Sequence, residues 1–532
     1  MKILHCIALL LLIPLGASAQ DSTSVSPDTS AALAFDLIAW EEGPYEIEHL
    51  TLDGAALRSV KKTYDADYGT LAVPERRDDP DSRMIELPIV RIRATGVQPA
   101  EPIFWFEGGP GQSNMDTFDF DFFIEKHDHV MVGYRGVDGS VSLECEEVKA
   151  ALKQVDDVLA DAALDRVGEA YAACWARLQG AGVDVHGYTT VEVVRDVESA
   201  RRALGYETIN LMAESYGTRL AYLYGVMYPQ AIRRSLMIGA NPPGGLVWDP
   251  AQADAFIEHY ARLWAADPEA SARAEDLTET IRTVSQNMPR RWLFLPIHPG
   301  NVKASAHSML FHRSSAAMVF DTYVAAANGD ASGLWMISVV APFIFPDIVN
   351  WGDNASKAVS ADYDPARDYR RELVPDDAVF GAPLGRFLWG PGGHWPIRPI
   401  PDAYRRLQPS PVETLVINGN VDFLTPAENT ERDLMPNLPN GAHVVLAEMG
   451  HIGDLWGVQP ATTHRILTSF LETGVADTAG YRYVPMNFAV GMGYPLMAKL
   501  LLGMVVLGIL FVAWLTWWIV RFVHRRRAVR GV

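Results

Sequence analysis

The chain has 532 residues, of which 49% are hydrophobic and 21% charged, a composition typical of a globular protein with a large core. Its formal net charge of −20 disfavours binding of nucleic acid or anionic lipid by the folded domain. Both chain ends depart from this composition and are therefore interpreted separately.

Residues 1–19 predict a cleavable secretory signal peptide. The apolar run of residues 7–15 is too short to cross a bilayer, and Ala17-Ser18-Ala19 supplies the small residues of a cleavage site. A buried N-terminal helix is the alternative. Residues 20–34 are rich in Ser, Thr, Asp and Ala without apolar periodicity, which predicts a disordered leader.

The three cysteines predict one disulfide bond. Cys6 would leave with the signal peptide, so Cys145 and Cys174 remain as an even pair in an oxidising compartment. Two buried free thiols are the alternative. Because no His pair accompanies the two cysteines, no metal site is expected.

Residues 35–241 alternate between strand and helix patterns. Strands are predicted at residues 46–52, 85–93, 103–106, 130–134, 208–213 and 234–239, and helices at 145–180, 191–204 and 216–228. This β-α-β-α-β repetition favours a mostly parallel sheet with helices on both faces.

Regular strands disappear between residues 242 and 411, where helical stretches and Pro/Gly-rich turns predict an inserted, mainly helical cap. Strands resume at 414–418 and 443–446, so we expect residues 412–480 to form the second part of the same core.

Residues 500–520 are uncharged and long enough to cross a hydrocarbon core of about 30 Å as a helix. Arginines in the basic tail, residues 521–532, are typical of a cytoplasmic flank. With the signal peptide, this predicts a single-pass protein whose large domain lies outside the cytoplasm, on the periplasmic side of a bacterial inner membrane. Residues 481–499 form the juxtamembrane segment. A buried core helix and a removable C-terminal sorting signal are the alternatives.

Three residues at predicted strand ends form a candidate catalytic triad. Ser215 lies between a strand and a helix in Ala-Glu-Ser-Tyr-Gly, one residue away from the Gly-x-Ser-x-Gly pattern of a nucleophile elbow. Asp422 and His451 each follow a later strand, in the order that places an orienting acid and a base beside such a serine. The sequence therefore predicts Ser215 as nucleophile, His451 as base and Asp422 as its partner.

A glycine cluster, Gly108-Gly109-Pro110-Gly111, directly follows the apolar strand at 103–106. Backbone N–H groups there can face a reacting carbonyl, so we expect an oxyanion hole formed by the N–H groups of Gly109 and Tyr216, with Gly108 as the next candidate. A simple tight turn is the alternative. A similar cluster at 390–393 follows no strand and is interpreted as a turn.

With these motifs, the chain resembles the prolyl aminopeptidase and tripeptidyl aminopeptidase family of α/β-hydrolases over residues 68–471. The resemblance depends on six blocks: residues 69–74, 108–111, 133–137, 214–219, Asp422 with Thr425-Pro426, and Gly450-His451. It implies the α/β-hydrolase fold and a serine exopeptidase that releases one or a few N-terminal residues through an acyl-enzyme, without metal or cofactor.

Family members hold the substrate amino group with acidic side chains from the cap. Glu107 stands where many members have His, and we expect it to contact a substrate amine; Glu258, Asp267 and Glu269 are further acids in the cap. A carboxylesterase or amidase acting on small esters or amides fits the same triad. A non-catalytic, membrane-tethered binding protein is the second alternative.

Overall fold

The computed structural model describes residues 35–53, 56–115 and 120–529. The predicted signal peptide and leader lie outside these residues, as do the last three residues of the predicted tail.

A nine-stranded mixed sheet forms the centre of the molecule. The strands in chain order are β1 (Asp36–Asp53), β2 (Ala56–Pro74), β3 (Met84–Ile92), β4 (Ile103–Phe106), β5 (His129–Val132), β6 (Ile209–Glu214), β7 (Ile232–Ile238), β8 (Arg291–Trp292), β9 (Leu295–Pro296), β10 (Thr414–Gly419) and β11 (Gly441–Leu446). The sheet order is β1-β2-β3-β5-β4-β6-β7-β10-β11, and β8 and β9 form a separate hairpin. The strands from β5 to β11 in this order are parallel, as the alternating pattern predicts.

Helices cover both faces of the sheet and form the inserted region. They are α1 (Glu146–Leu152), α2 (Asp161–Gly180), α3 (Thr190–Ala203), α4 (Tyr216–Met227), α5 (Pro250–Ala266), α6 (Pro268–Ser271), α7 (Leu277–Gln286), α8 (Pro299–Met309), α9 (Arg313–Ala327), α10 (Ser332–Ile344), α11 (Trp351–Asp362), α12 (Tyr369–Glu372), α13 (Pro383–Trp389), α14 (Asp402–Arg405), α15 (Ala427–Asn429), α16 (Ile452–Gly457), α17 (Pro460–Thr473) and α18 (Tyr494–Val529).

The buried strands send alternate side chains into two cores. Phe104 and Phe106 of β4 pack with α3 and α4 on one face, whereas Trp105 packs toward α17 on the other. This two-sided burial explains why β4 is a continuous apolar run rather than an alternating one.

The predicted first strand is shorter than the observed one. Residues 46–52 belong to β1, which pairs with β2 over its whole length, including Gly43 with Ala66 and Pro44 with Asp65. A Gly-Pro pair with acidic residues nearby is typical of a turn, but the main-chain pairing with β2 continues through Gly43 and Pro44.

Helices α5 to α14 lie between β7 and β10 and occupy the region predicted as a cap, together with the β8–β9 hairpin. Tyr260, Trp264 and Phe320 are fully buried in a core of this region. Val421 and Phe423 join the same core, so the inserted helices pack directly against the loop that carries Asp422.

The chain after α17 lies on the domain before it enters α18. This segment, residues 474–493, is called the strap below. Arg273 donates to the Phe488 carbonyl oxygen and Arg313 to the Val484 carbonyl oxygen. Residues Tyr494–Phe522 of α18 are long and apolar enough to span a membrane.

Candidate active site

Ser215 lies at a sharp turn between β6 and α4. Its φ of 48° and ψ of −121° fall in a backbone region that residues other than glycine rarely adopt, so the backbone is strained at Ser215. Gly217 permits the turn, since a Cβ at this position would lie 2.2 Å from the Phe106 carbonyl oxygen. The backbone at Ser215 therefore forms a sharp strand-to-helix turn.

Asp422 and His451 are in contact. The His451 Nδ1 lies 2.8 Å from Asp422 Oδ2, and both residues follow neighbouring parallel strands, β10 and β11. The Phe423 ring packs against Phe256 with centroids 5.1 Å apart, which fixes the Asp422 loop against α5.

The Asp422 carboxylate is fully buried and accepts several hydrogen bonds. Besides His451, the Thr425 hydroxyl donates to Oδ2 at 2.6 Å, and the N–H groups of Leu424 and Thr425 donate to Oδ1. Burial raises the pKa of Asp422, but His451 and the hydrogen bonds outweigh burial and hold the pKa below its ordinary value. The side chain therefore stays ionised at neutral pH.

Ser215 and His451 both lie close to the carboxyl end of β7. The Ser215 N–H donates to the Ile238 carbonyl oxygen at 2.9 Å. A Cβ on the next residue, Gly239, would lie 3.2 Å from His451 Cε1 and 3.0 Å from Thr425 Oγ1. The three candidate triad residues thus adjoin the carboxyl ends of β6, β7, β10 and β11.

The glycine cluster after β4 forms a loop beside Ser215. A Cβ on Gly108 would lie 3.1 Å from Ser215 Cβ, and Gly109 has a φ of 56°. Gly109 and Tyr216 line the same cavity as Ser215. The Gly108 N–H already donates to Glu107 Oε1 at 2.8 Å.

Glu107 does not line this cavity, although the sequence suggested that it contacts a substrate amine. Its main-chain N–H donates to Asn114 and its carboxylate accepts the Gly108 N–H. The Glu107 side chain therefore stabilises the glycine loop through a hydrogen bond within that loop.

Helix α11 holds the outer end of the glycine loop. Asp353 Oδ2 accepts the Gly111 N–H at 3.0 Å, and the Asn354 side chain donates to the Pro110 carbonyl oxygen at 3.0 Å. Asp353 is itself paired with Lys357 at 2.7 Å, and both side chains are fully buried. The inserted region therefore fixes the position of the loop.

A cavity of about 190 Å³ opens beside Ser215. Its walls include Trp248, Trp389 and Trp395 from the inserted region, and Tyr171 from α2. Among the described residues that line it, none is charged. The cavity therefore suits an apolar group.

The N–H groups of the three indoles all donate hydrogen bonds within the protein. The Nε1 atoms of Trp248 and Trp389 donate to the carbonyl oxygens of Leu424 and Leu246, and that of Trp395 donates to Ser356 Oγ. The indoles thus present carbon surface to a ligand.

Several contributors to the site were not predicted. Arg219, in the block after Ser215, makes a buried two-pronged ion pair with Asp362 at the end of α11. The cluster at 390–393, interpreted only as a turn, supplies Pro391 and Gly392 to the cavity wall. The glycines of this turn are visible in the sequence. Because the turn follows no predicted strand, however, the sequence does not show that it lies at the cavity.

The three acidic candidates named in the cap lie outside the cavity lining. Glu258, Asp267 and Glu269 are not among the residues that line the cavity, and Asp267 caps α6 by accepting from the N–H groups of Glu269 and Ala270.

Cys145 and Cys174 form a disulfide bond between the start of α1 and α2, as the sequence predicts. In the ranges that the structure describes, no group of three or more His, Cys, Asp or Glu side chains is arranged to hold a metal ion.

Comparison with known proteins agrees with this architecture. Residues 106–296 match the alpha/beta hydrolase fold family. The tripeptidyl aminopeptidase of Streptomyces lividans is 26% identical over 318 residues, which cover 54% of this chain and 57% of that protein. The chain thus spans just over half the length of this relative.

The serine protease Hip1 of Mycobacterium tuberculosis is 29% identical over 202 residues, covering 35% of this chain and 37% of that protein. A solved serine hydrolase from Cycloclasticus zankles covers 73% of this chain and 95% of its own, with 13% identity and a TM-score of 0.35. Together with the sheet order, the family match confirms the predicted fold: the chain has the alpha/beta hydrolase fold and is similar to tripeptidyl aminopeptidase and to the serine protease Hip1.

Proposed function

We propose that the protein is a serine hydrolase in which Ser215 is the nucleophile, His451 the general base and Asp422 the orienting acid. The observation that carries the proposal is the buried His451–Asp422 pair, 2.8 Å apart, beside a serine with a strained backbone. With Nδ1 engaged by Asp422, Nε2 is the nitrogen that takes the Ser215 proton and returns it to the leaving group. Water then releases the acyl group from Ser215.

The developing oxyanion is bound by the N–H groups of Gly109 and Tyr216. Both residues line the cavity at Ser215, whereas the Gly108 N–H is occupied by Glu107. Each such donor typically contributes about 3 kcal/mol to lowering the barrier.

The preferred substrate is a peptide with a free N-terminus and an apolar residue at the cleaved bond. Similarity to tripeptidyl aminopeptidase supports peptide cleavage, and the uncharged cavity supports the apolar residue. Because the described lining contains no carboxylate, the substrate ammonium binds beyond the cavity. Three extended residues span about 10 Å, so release of a tripeptide fits this arrangement better than release of one residue.

A carboxylesterase or amidase of apolar substrates is the second candidate. The uncharged, indole-lined cavity favours it directly, since such a wall binds an acyl chain as well as an apolar side chain.

We also propose that α18 anchors the protein in a bacterial inner membrane with the hydrolase domain in the periplasm. Arg521, His524 and Arg525 at the far end of α18 fit a cytoplasmic flank, and the disulfide fits an oxidising compartment.

The full chain in detergent is assayed with a tripeptide nitroanilide ending in an apolar residue, its N-acetylated form and a short-chain nitrophenyl ester. We expect faster cleavage of the free amine, and loss of kcat by about 10³-fold or more in Ser215→Ala. Ser235→Ala, a buried serine of β7, is the matched control and retains activity. Cleavage of the ester alone would establish the second candidate, and inactivity toward all three would favour a binding protein.

A further inference from the structure

The inserted region exposes a set of large apolar side chains, called the apolar cap surface here. Phe343 is 79% exposed and Phe294 78%, and the surface also includes Leu293, Val339 and Ile344. Leu293 and Phe294 lie between β8 and β9, and the other three lie on α10. The Trp292 and Trp335 rings, 5.4 Å apart, join the hairpin to the helix.

Helix α10 is apolar on its outer face as well as its inner one. Leu334, Ile337 and Ala341 are buried in the fold, while Val339 and Phe343, four residues apart, face outward. Between Ser332 and Asp347, Asp347 is the only charged residue. An exposed helix normally presents polar residues to water, so this face indicates an apolar partner.

The start of α18 identifies that partner as a lipid bilayer. Lys499 is the last charged residue before the apolar stretch at 500–520, and its Nζ lies 2.6 Å from Asp330 Oδ2. The hydroxyl of Ser332, the first residue of α10, lies 2.6 Å from Asp330 Oδ1 and 3.2 Å from the Pro495 carbonyl oxygen. Helix α10 therefore begins where α18 enters the membrane, and its 13 residues extend about 20 Å from that point.

The charges beside the hairpin fit the same partner. Arg290 and Arg291 precede the exposed Leu293-Phe294 pair, with Trp292 between them and the pair, and both arginines are exposed. Cations next to apolar side chains are typical of segments that lie in the headgroup region of a membrane.

We propose that the apolar cap surface lies in the headgroup region of the bilayer that α18 crosses, so that the cavity opens toward the lipid. Ile348 and Val349, which follow α10 closely, line the cavity at Ser215. On the proposed function, which this part assumes, the substrates are amphiphiles whose apolar group enters the cavity from the membrane surface.

The membrane contact is tested without using catalysis. The full chain with Cys6→Ala carries one added cysteine, Phe343→Cys or Phe294→Cys, labelled with the fluorophore NBD and reconstituted into vesicles of phosphatidylethanolamine and phosphatidylglycerol. The control is Val97→Cys, which is fully exposed on the hydrolase core. We expect about twofold quenching of the first two probes by lipids carrying a shallow doxyl group, and none of the third.

Equal quenching at all three positions, or at none, would overturn the proposal. A blue-shifted emission at Phe343→Cys that appears equally in detergent and is insensitive to doxyl lipid would also overturn it, and would indicate a second copy on this face.

The substrate class has its own assay. In Phe294→Ser/Phe343→Ser, we expect hydrolysis of a palmitoyl nitrophenyl ester in vesicles to fall about tenfold while that of the butyryl ester in solution is unchanged. An equal loss of hydrolysis on both esters would contradict the proposal that the substrate enters the cavity from the membrane. If the wild-type chain cleaves neither ester, amphiphilic esters are not its substrates, and the peptide nitroanilide assay decides the proposed function; the quenching result still decides the membrane contact.

Discussion

The residue before the candidate nucleophile is a buried acid. The Glu214 side chain is enclosed beneath the elbow and accepts a hydrogen bond from the Trp456 indole. Burial and then the nearby charge of Glu107 raise the pKa of Glu214 well above its ordinary value. The native protein therefore keeps the Glu214 carboxyl protonated at pH values at which the unfolded chain ionises it.

We predict that Glu214→Gln changes the pH dependence of stability. Below the ordinary carboxyl pKa of 4.5, both states of the wild type bind the proton. Above it the unfolded state loses the proton first, so wild-type stability falls as pH rises toward the native pKa. Glutamine does not titrate and still accepts from Trp456. The variant should gain stability over the wild type between pH 5 and pH 8.

The measurement is the urea midpoint of the full chain in detergent at both pH values. Glu125→Gln, at an exposed position, is the control and should show no pH-dependent difference. A midpoint difference for Glu214→Gln that is the same at pH 5 and pH 8 would contradict the assignment of Glu214 as protonated.

At the scale of elements, α11 connects the inserted region to the glycine loop. The buried Lys357 ammonium lies 2.7 Å from Asp353 and 4.9 Å from the centre of the Tyr134 ring, and Tyr134 donates to the Glu107 carbonyl oxygen. The ion pair thus lies directly behind the loop that carries Gly109.

We predict that Lys357→Met alone destabilises the protein by about 3 to 5 kcal/mol, because it leaves the Asp353 carboxylate buried without its counter-charge. The double variant Asp353→Asn/Lys357→Met should be more stable than the single variant, since no charge remains buried. Urea midpoints of both proteins provide the measurement. A double variant less stable than Lys357→Met would show that the pair does not act through charge compensation.

The sequence predicts the elements that depend on local pattern. β4 is a continuous apolar run, and β6 and β10 are apolar except for a few polar residues. Glycine or a candidate catalytic residue comes within three residues of the end of each strand, so both fold and triad candidates are visible. The contacts of Asp353 and Arg219 join residues more than 140 positions apart, as in Asp353 with Gly111 and Arg219 with Asp362. No local pattern encodes such a pairing, and one sequence contains no covariation to reveal it.

At the scale of the whole molecule, the strap links the His451 loop to α18. Glu448, three residues before His451, accepts hydrogen bonds from the Tyr483 hydroxyl and, at 2.7 Å, from the Met486 N–H. The hydrogen bond to Glu448, with burial, raises the pKa of Tyr483 to about 12. The predicted juxtamembrane segment is therefore bound to the domain.

We predict that Glu448→Ala releases the strap. Losing both hydrogen bonds to a carboxylate should raise cleavage within residues 474–493 by about tenfold under limited proteolysis of the full chain. Tyr483→Phe, which removes one of the two, should give a smaller increase. Unchanged cleavage in Glu448→Ala would mean that the other strap contacts suffice.

The order of strands also affects how the protein is made. β10 pairs with β7 in the sheet, yet the whole inserted region separates them along the chain. While the ribosome is still producing that region, β7 has an unpaired edge, a structure that invites association with other chains. The hydrolase core closes late in synthesis, after β10 and β11 emerge, so a nascent chain carrying Ser215 still lacks Asp422 and His451. Export in an unfolded state would postpone this closure until the domain has left the cytoplasm.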